Sequence, residues 1–231
     1  MKSGSIPAKA DTAAQRSYYD NVLLPLMAKA KKNKLTLLFM DGSHFVMGCD
    51  FLGYIYGKTR RFVKTFSGRK RYNVLGALNF VTKKVTTVAN DTYITAATVC
   101  EMLRKVATEY MGKPVNIILD NARYQKCEVV TILARELGIT LQYIPPYSPN
   151  LNLIERLWKH VKSRLRSKYY NLFGDFKDTI DLIIEDADKG SKWHIDKLIG
   201  EAVQIFDTLV PINDNTFAVD SLDKTKADTA A

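Results

Sequence analysis

The sequence predicts an α/β fold in which a mixed five-stranded sheet is flanked by helices. Three features of the 231-residue chain support this fold class. A nearly continuous apolar run at 35–40 is typical of a central strand that is covered on both faces. Segments 72–80 and 84–88 are β-rich and separated by a short turn, which indicates a hairpin. Helical and strand-like segments then alternate, which favours parallel strands.

The first half of the chain contains the lead-in segment and the antiparallel strands. Residues 1–34 predict a linker and a lead-in helix, which Pro25 would kink or split. The strand at 35–40 follows, and residues 50–70, rich in Gly, Tyr and Arg, predict a long loop or irregular ribbon. The hairpin comes next, so the sheet is expected to be antiparallel at its beginning.

The second half of the chain alternates between helices and strands, with Gly112 and Gly138 closing two of the helices. The predicted segments are a helix at 92–110, a strand at 115–119, a helix at 129–137, a strand at 139–144, a helix entered near Ser148-Pro149, a helical stretch at 175–209 and a tail at 211–231. The predicted organisation is a linker and lead-in helix at 1–34, an α/β domain at 35–173, and an acidic helical C-terminal extension and tail at 174–231.

Composition excludes several classes of protein. No apolar run approaches the ~20 residues of a membrane helix, and the N-terminus lacks the apolar stretch of a signal peptide. The three cysteines are widely spaced and form no metal-finger pattern. We therefore expect a cytoplasmic protein without membrane contact, disulfide bonds or structural zinc.

Charge is unevenly distributed along the chain, whose net charge is +10. Residues 1–173 carry 28 Lys and Arg against 11 Asp and Glu, whereas residues 174–231 carry 6 against 13. Clustered cations favour a polyanion, because phosphate contacts release counterions, although a solvated lysine-rich surface would have the same composition. Nucleic acid is the expected partner. The predicted contacts are Lys58, Arg60, Arg61, Arg69, Lys70, Arg71, Lys159, Lys162 and Arg166.

Three acidic residues occur where α/β sheets commonly bind ligands. Asp41 and Asp120 each follow an apolar strand, and Glu155 lies in the first turns of the helix after the Pro-Pro turn. If the two strands are parallel neighbours, both Asp side chains emerge at one edge, and the helix would bring Glu155 beside them. Clustered carboxylates repel one another unless cations lie between them, which predicts Mg²⁺ or Mn²⁺. Two such ions, ~4 Å apart, support phosphodiester chemistry.

Each acid also has a purely structural interpretation. The Asp41-Gly42 pair is common in hairpin turns, and Asp120 would cap a following helix. Glu155 would complete a capping box with Asn152 or pair with Lys159. The joint placement of the three acids at matching strand ends, in a basic chain, favours the metal site.

Three strings carry a resemblance to a known family. They are Phe39-Met40-Asp41, Leu119-Asp120-Asn121-Ala122, and the string YIPPYSPNLNLIERLW from Tyr143 to Trp158. Together they resemble the catalytic domain of a mariner-type DDE transposase, in its bacterial insertion-sequence branch. Between Asp120 and Glu155 lie 34 residues, the spacing typical of that branch.

The resemblance implies a ribonuclease H-like fold for residues 35–173, in the retroviral-integrase superfamily, and two Mg²⁺ or Mn²⁺ ions held by Asp41, Asp120 and Glu155. It also implies cleavage and strand transfer of double-stranded DNA at transposon ends and a TA target, a homodimer, and a bacterial, nucleoid-associated location. Family members usually begin with helix-turn-helix modules, and this chain begins in what resembles the connector after them. Two alternatives remain open: an inactive DNA-binding remnant and a structure-specific nuclease of the same fold.

Overall fold

The computed structural model of the chain describes residues 9–48, 68–166 and 168–189. These residues form five β-strands and six α-helices, with one π-helical and two 3₁₀-helical turns. The elements are α1 (Thr12–Tyr18), the π turn Tyr19–Leu23, α2 (Leu24–Lys31), β1 (Thr36–Met47), β2 (Lys70–Asn79), β3 (Val85–Asn90), α3 (Ala96–Glu109), β4 (Val115–Leu119), the 3₁₀ turn Arg123–Gln125, α4 (Glu128–Glu136), β5 (Ile139–Tyr143), the 3₁₀ turn Pro149–Leu151, α5 (Ile154–Leu165) and α6 (Phe173–Lys189).

The five strands form one sheet in the order β3-β2-β1-β4-β5. β1 pairs antiparallel with β2, which pairs antiparallel with β3, whereas β1–β4 and β4–β5 are parallel. Parallel neighbours need a crossover connection, which α3 and α4 provide. The predicted mixed sheet, antiparallel at its beginning and parallel afterwards, is confirmed.

Helices cover both faces of the sheet and bury a separate apolar cluster on each. α2, α5 and α6 pack against the face that carries Phe39 and Phe45 of β1. α3 and α4 pack against the opposite face, which carries Leu38 and Met40. Side chains alternate along a strand, so Asp41 lies on the same face as Phe39, towards α5.

β1 is longer than the sequence predicts. The apolar run predicts a strand that ends before Asp41, but β1 continues to Met47, so Asp41 lies inside the strand. Pairing with β2 extends from Leu38 to Met47, whereas pairing with β4 stops at Phe39. A strand paired along only one edge tolerates polar residues, because part of its surface is solvated. The prediction that Asp41 ends its strand is therefore wrong, although Asp41 does lie at the level where β4 ends.

The lead-in helix changes its hydrogen-bond pattern next to Pro25, where the sequence predicts a kink or a split. Pro25 lies in the first turn of α2, directly after the π turn that follows α1. Proline has no N–H and cannot continue the helical hydrogen-bond ladder, so a wider turn before it accommodates the break. The helix still docks on the sheet, because Leu23, Met27 and Ala30 are buried.

α6 packs beside α5 and buries Phe176, Ile180 and Ile184. The Tyr72 hydroxyl lies 3.0 and 2.9 Å from the two carboxylate oxygens of Asp181, which ties this acidic helix to β2. Within the described ranges, no helix has the length and apolar character needed to cross a membrane. Three predicted segments lie wholly or partly outside the described residues: the loop at 50–70 from 50 to 67, the helical stretch at 175–209 from 190 onwards, and the tail at 211–231.

Candidate active site

Asp41 and Asp120 lie side by side on neighbouring parallel strands. In the β1–β4 register Phe39 pairs with Ile118, so Asp41 and Asp120 follow two residues later at the same level. Phe39 and Ile118 belong to the apolar cluster on the α5 side, and the alternation of side chains places both acids on that side too. Since neighbouring strands are only ~4.8 Å apart, the two carboxyl groups lie within each other's electrostatic reach.

Glu155 lies on α5, which packs over the sheet face that carries Asp41 and Asp120. It lies in the first turn of α5, and the close approach of α5 depends on Gly76, which pairs with Asp41 in the β1–β2 ladder. A Cβ atom at Gly76 would lie 2.8 Å from two ring atoms of Trp158 and 3.0 Å from Cδ1 of Ile154. The absence of a side chain at this position thus lets α5 rest on the sheet with Glu155 next to Asp41.

The three acids line one cavity of about 360 Å³. Its remaining walls are the segment from Ile144 to Pro149 and the side chains of Asn121, Ala122 and Asn152. The structure therefore brings together the three acids that the sequence predicts as a site, although they are far apart in the chain.

The carboxyl groups perturb one another's protonation. Burial is the largest cause that raises the pKa of Asp41, followed by the charge of Glu155; the charge of Asp120 adds to it, and the hydrogen bond from the Gly42 N–H opposes it. The result is a pKa of about 8. Burial also raises the pKa of Glu155, against the opposing effects of Lys162 and of a hydrogen bond with Asp41. Asp41 therefore retains its proton and donates a hydrogen bond to the carboxylate of Glu155.

This set of oxygen donors fits a hard divalent cation. Carboxylate oxygens are the ligands that Mg²⁺ and Mn²⁺ prefer, and a cation would relieve the repulsion that raises the pKa of Asp41. In the described part of the chain, however, no group of three or more His, Cys, Asp or Glu side chains is arranged so that it could hold a metal ion as it stands. The arrangement is instead three acids around one cavity, with a hydrogen bond between Asp41 and Glu155.

The structural interpretations of the two aspartates explain only part of their contacts. Asp41 is not in a hairpin turn, because β1 continues for six residues after it. One oxygen of Asp120 accepts a hydrogen bond from the N–H of Ala122 at 3.1 Å, which is a local turn contact. The next α-helix has Cys127 at its N-cap, so Asp120 caps no α-helix.

Two asparagines join the segments that carry the acids. Nδ2 of Asn121 donates to the backbone oxygen of Ile144, and Nδ2 of Asn152 donates to that of Met40 at 3.1 Å. The capping-box interpretation of Asn152 and Glu155 is therefore wrong, since α5 has no side-chain cap and the Asn152 amide is engaged elsewhere. These cross-links could not be predicted from the sequence, because the strings that contain Asn121 and Asn152 give no sign of their distant partners.

A second cavity of about 410 Å³ adjoins the acidic one and shares Pro149, Asn152 and Glu155 with it. Its other walls come largely from cationic side chains on successive turns of α5. The structure therefore aligns three of the predicted DNA contacts with Glu155. The cations that line this cavity are Arg156, Lys159, Lys162 and Arg166.

The other predicted DNA contacts lie apart from the acids. The cluster Arg69-Lys70-Arg71 is exposed at the start of β2 and lines a third cavity of about 870 Å³. Arg71 pairs with Val46, five residues beyond Asp41 on β1, which corresponds to about 16 Å along the strand. The structure does not bring this cluster to the acidic cavity. Lys58, Arg60 and Arg61 lie outside the described residues.

Comparison with known proteins identifies the family. Residues 36–179 match the family described as DDE superfamily endonuclease. The chain is also similar to the uncharacterized 39 kDa protein of insertion element IS630 from Shigella sonnei, with 32% identity over 104 residues. That match covers 45% of this chain and 30% of the relative, so the matched segment spans less than a third of the relative's length.

Solved structures share the fold at low sequence identity. The Mos1 strand transfer complex superposes with a TM-score of 0.58 and 13% identity, covering 82% of this chain and 63% of that chain. The Mos1 mariner paired end complex with Mn gives a TM-score of 0.56 and 13% identity, covering 88% and 67%. The five-stranded sheet with its flanking helices is therefore ribonuclease H-like, as expected.

The family match spans the whole sheet from β1 to β5 and includes all three acids of the cavity. The predicted resemblance to a DDE enzyme is confirmed by this family match, and the Mos1 strand transfer complex shares the fold of the chain. The chain belongs to the DDE superfamily endonucleases.

Proposed function

We propose that this chain is the catalytic domain of a DNA transposase, which cleaves DNA strands and transfers the resulting ends by a metal-dependent Asp-Asp-Glu mechanism. One observation carries the proposal: the cavity of Asp41, Asp120 and Glu155 shares a wall with the cationic cavity of α5. Phosphodiester transfer needs charge compensation at the reacting phosphate and a cationic surface for the flanking backbone. The acidic cavity would supply the charge compensation and the cationic cavity the surface for the backbone, and α5 contributes residues to both.

Asp41, Asp120 and Glu155 are the residues that would hold two Mg²⁺ or Mn²⁺ ions. When bound, such ions activate the attacking oxygen and stabilise the leaving oxygen of a phosphodiester. The chain's own residues contribute metal ligation and DNA binding. Asp41 would lose its proton when it becomes a metal ligand, and Lys159 and Lys162 would hold the DNA backbone beside the acids. The manganese named for the Mos1 mariner complex supports this choice of metal.

Double-stranded DNA is the proposed substrate, both as transposon ends and as target. A homodimer is the proposed working form, because two ends must be joined to one target. The relatives named as a Mos1 strand transfer complex and a Mos1 mariner paired end complex support both proposals. Strand transfer also separates this proposal from a plain nuclease of the same fold, which would hydrolyse DNA without joining a 3′-hydroxyl to a new strand.

The test compares the parent protein with the Asp120→Asn variant. The measured quantities are the rates of Mg²⁺- or Mn²⁺-dependent nicking and joining of DNA. Asparagine keeps the shape of the side chain and an oxygen for the Ala122 N–H, so the fold is expected to persist. Loss of several kcal/mol of charge stabilisation predicts a rate at least about 100-fold lower. Glu128→Gln, which changes an exposed acid on α4 outside both cavities, is the control and should cleave normally. Parental activity in Asp120→Asn would refute the assignment.

A further inference from the structure

Asn152 lies between the two elements that carry Asp41 and Glu155. It is 3% exposed and occupies the extended position between the Pro149–Leu151 turn and α5. A buried side-chain amide is unfavourable unless its polar atoms are hydrogen-bonded. Nδ2 of Asn152 is bonded, whereas its buried Oδ1 has no hydrogen-bond partner among the described residues. The Nδ2 contact is therefore the one that accounts for an asparagine in this position.

The Asn152 side chain is bound to the backbone of β1. Nδ2 donates to the carbonyl oxygen of Met40 at 3.1 Å, in a buried position. Met40 directly precedes Asp41 and lies one residue beyond Phe39, the last β1 residue paired with β4. A buried carbonyl beyond the end of a strand ladder needs another donor. Asn152 provides that donor next to Asp41.

The Asn152 backbone is bound to the start of α5. Its carbonyl oxygen accepts the N–H of Glu155 at 3.2 Å, and its own N–H donates to the carbonyl oxygen of Pro149 at 3.0 Å. No side-chain cap orders the first turn of α5, so these backbone bonds help to hold it. Asn152 is thus one hydrogen bond from Glu155 and one hydrogen bond from the residue beside Asp41.

We propose that Asn152 is a positioning residue that sets the separation of Asp41 and Glu155, so that both carboxyl groups can serve the same metal centre. The inference rests on the proposed function. The side chain of Asn152, which is outside the acidic triad, would then couple β1 to α5. Partners of this kind, which orient metal ligands without contacting the metal, typically change metal affinity by 10- to 100-fold when they are removed.

The test uses Asn152→Ala and the milder Asn152→Ser, neither of which can donate to Met40 as asparagine does. Calorimetric titration with Mn²⁺ alone should give an affinity about 10- to 100-fold weaker than that of the parent. The kcat of DNA cleavage should fall by about 100-fold while KM for DNA changes little, because a displacement of ~1 Å affects chemistry more than binding.

Asn79→Ala is the matched control. Asn79 is 5% exposed, and its Oδ1 accepts two backbone hydrogen bonds, from Val81 and Thr82 at 2.9 Å each, in the turn after β2. This variant should lose a comparable amount of stability and keep the Mn²⁺ affinity of the parent. Amide hydrogen exchange of the first turn of α5, measured without metal, should become faster in Asn152→Ala and stay unchanged in Asn79→Ala.

The outcomes separate this inference from the proposed function. If the parent binds Mn²⁺ and the Asn152 variants bind it equally tightly, the positioning role is overturned. If the parent itself binds no Mn²⁺, the proposed function fails, and hydrogen exchange alone decides on Asn152. Faster exchange around Glu155 would then support the coupling between β1 and α5, and unchanged exchange would overturn it.

Discussion

The replacement Gly76→Ala tests how the sheet positions α5. The new Cβ would lie 2.8 Å from Cη2 and Cζ2 of Trp158 and 3.0 Å from Cδ1 of Ile154, whereas ordinary contacts are 3.4–4 Å. Trp158 is 1% exposed and packs edge-on against Phe45 with ring centroids 6.1 Å apart. The indole therefore has no free space to enter, and α5 must move by about 0.6 Å or more.

The expected magnitude follows from this overlap. Overpacking of a core by one methyl group costs about 1–3 kcal/mol, which corresponds to a fall in Tm of about 2–12 °C for a domain of this size. Because Glu155 lies one turn before Trp158 on α5, it moves with the helix. Catalytic groups displaced by ~1 Å lose up to about 100-fold in rate, so a shift of about 0.6 Å predicts a loss of roughly tenfold.

The assay combines thermal unfolding with Mn²⁺-dependent nicking. Trp158→Phe removes the two ring atoms that overlap with the new Cβ, so Gly76→Ala should cost less in the Trp158→Phe background, by about 1 kcal/mol or more. Gly174→Ala, with no atom within 4 Å of the added Cβ, should instead be neutral or gain up to about 1 kcal/mol, because alanine favours helix. Unchanged Tm and activity in Gly76→Ala would refute the reasoning.

Two further predictions concern electrostatics. The raised pKa of Asp41, about 8, means that the folded state holds this proton more tightly than the unfolded chain; stability is therefore full below pH ~4 and is lost as pH rises to about 8. Urea unfolding of the metal-free protein should show this loss of stability in the parent and not in Asp41→Asn. At pH 8 the variant should be more stable than the parent by a few kcal/mol. Equal pH profiles of the two proteins would contradict the raised pKa of Asp41. Lys159→Ala combined with Lys162→Ala should weaken DNA binding and lower the salt slope of log K by about 2, measured by fluorescence anisotropy. Lys29→Ala on α2 should change neither quantity, and an unaltered slope in the double variant would exclude α5 from the DNA surface.

The strands and the mixed character of the sheet could be predicted from local patterns. Apolar runs identify the strands, and the strand–helix alternation favours parallel strands in the second half of the chain. That β1 and β4 are neighbours was a condition of the site prediction, and their register, which brings Asp41 level with Asp120, comes only from the structure. The end of β1 could not be predicted, because Asp41 and the polar residues after it interrupt the apolar run while β2 continues to pair with them.

The supporting contacts of the site were beyond sequence reasoning. A glycine inside a strand indicates a close approach of some kind, and Gly76 gave that signal, but its partner Trp158 lies 82 positions later. Asn152 fits a helix cap as well as a cross-link, since asparagine amides serve both purposes. Only the packing of α5 on β1 decides between the two interpretations.

The anomalous scattering of manganese, in crystals grown with saturating Mn²⁺, would show directly whether the three acids hold metal. We expect anomalous peaks within the cavity, each bounded by carboxylate oxygens of Asp41, Asp120 and Glu155, and the loss of those peaks in Asp120→Asn. An intact fold with no manganese between these three side chains, or with manganese bound only elsewhere, would contradict this expectation.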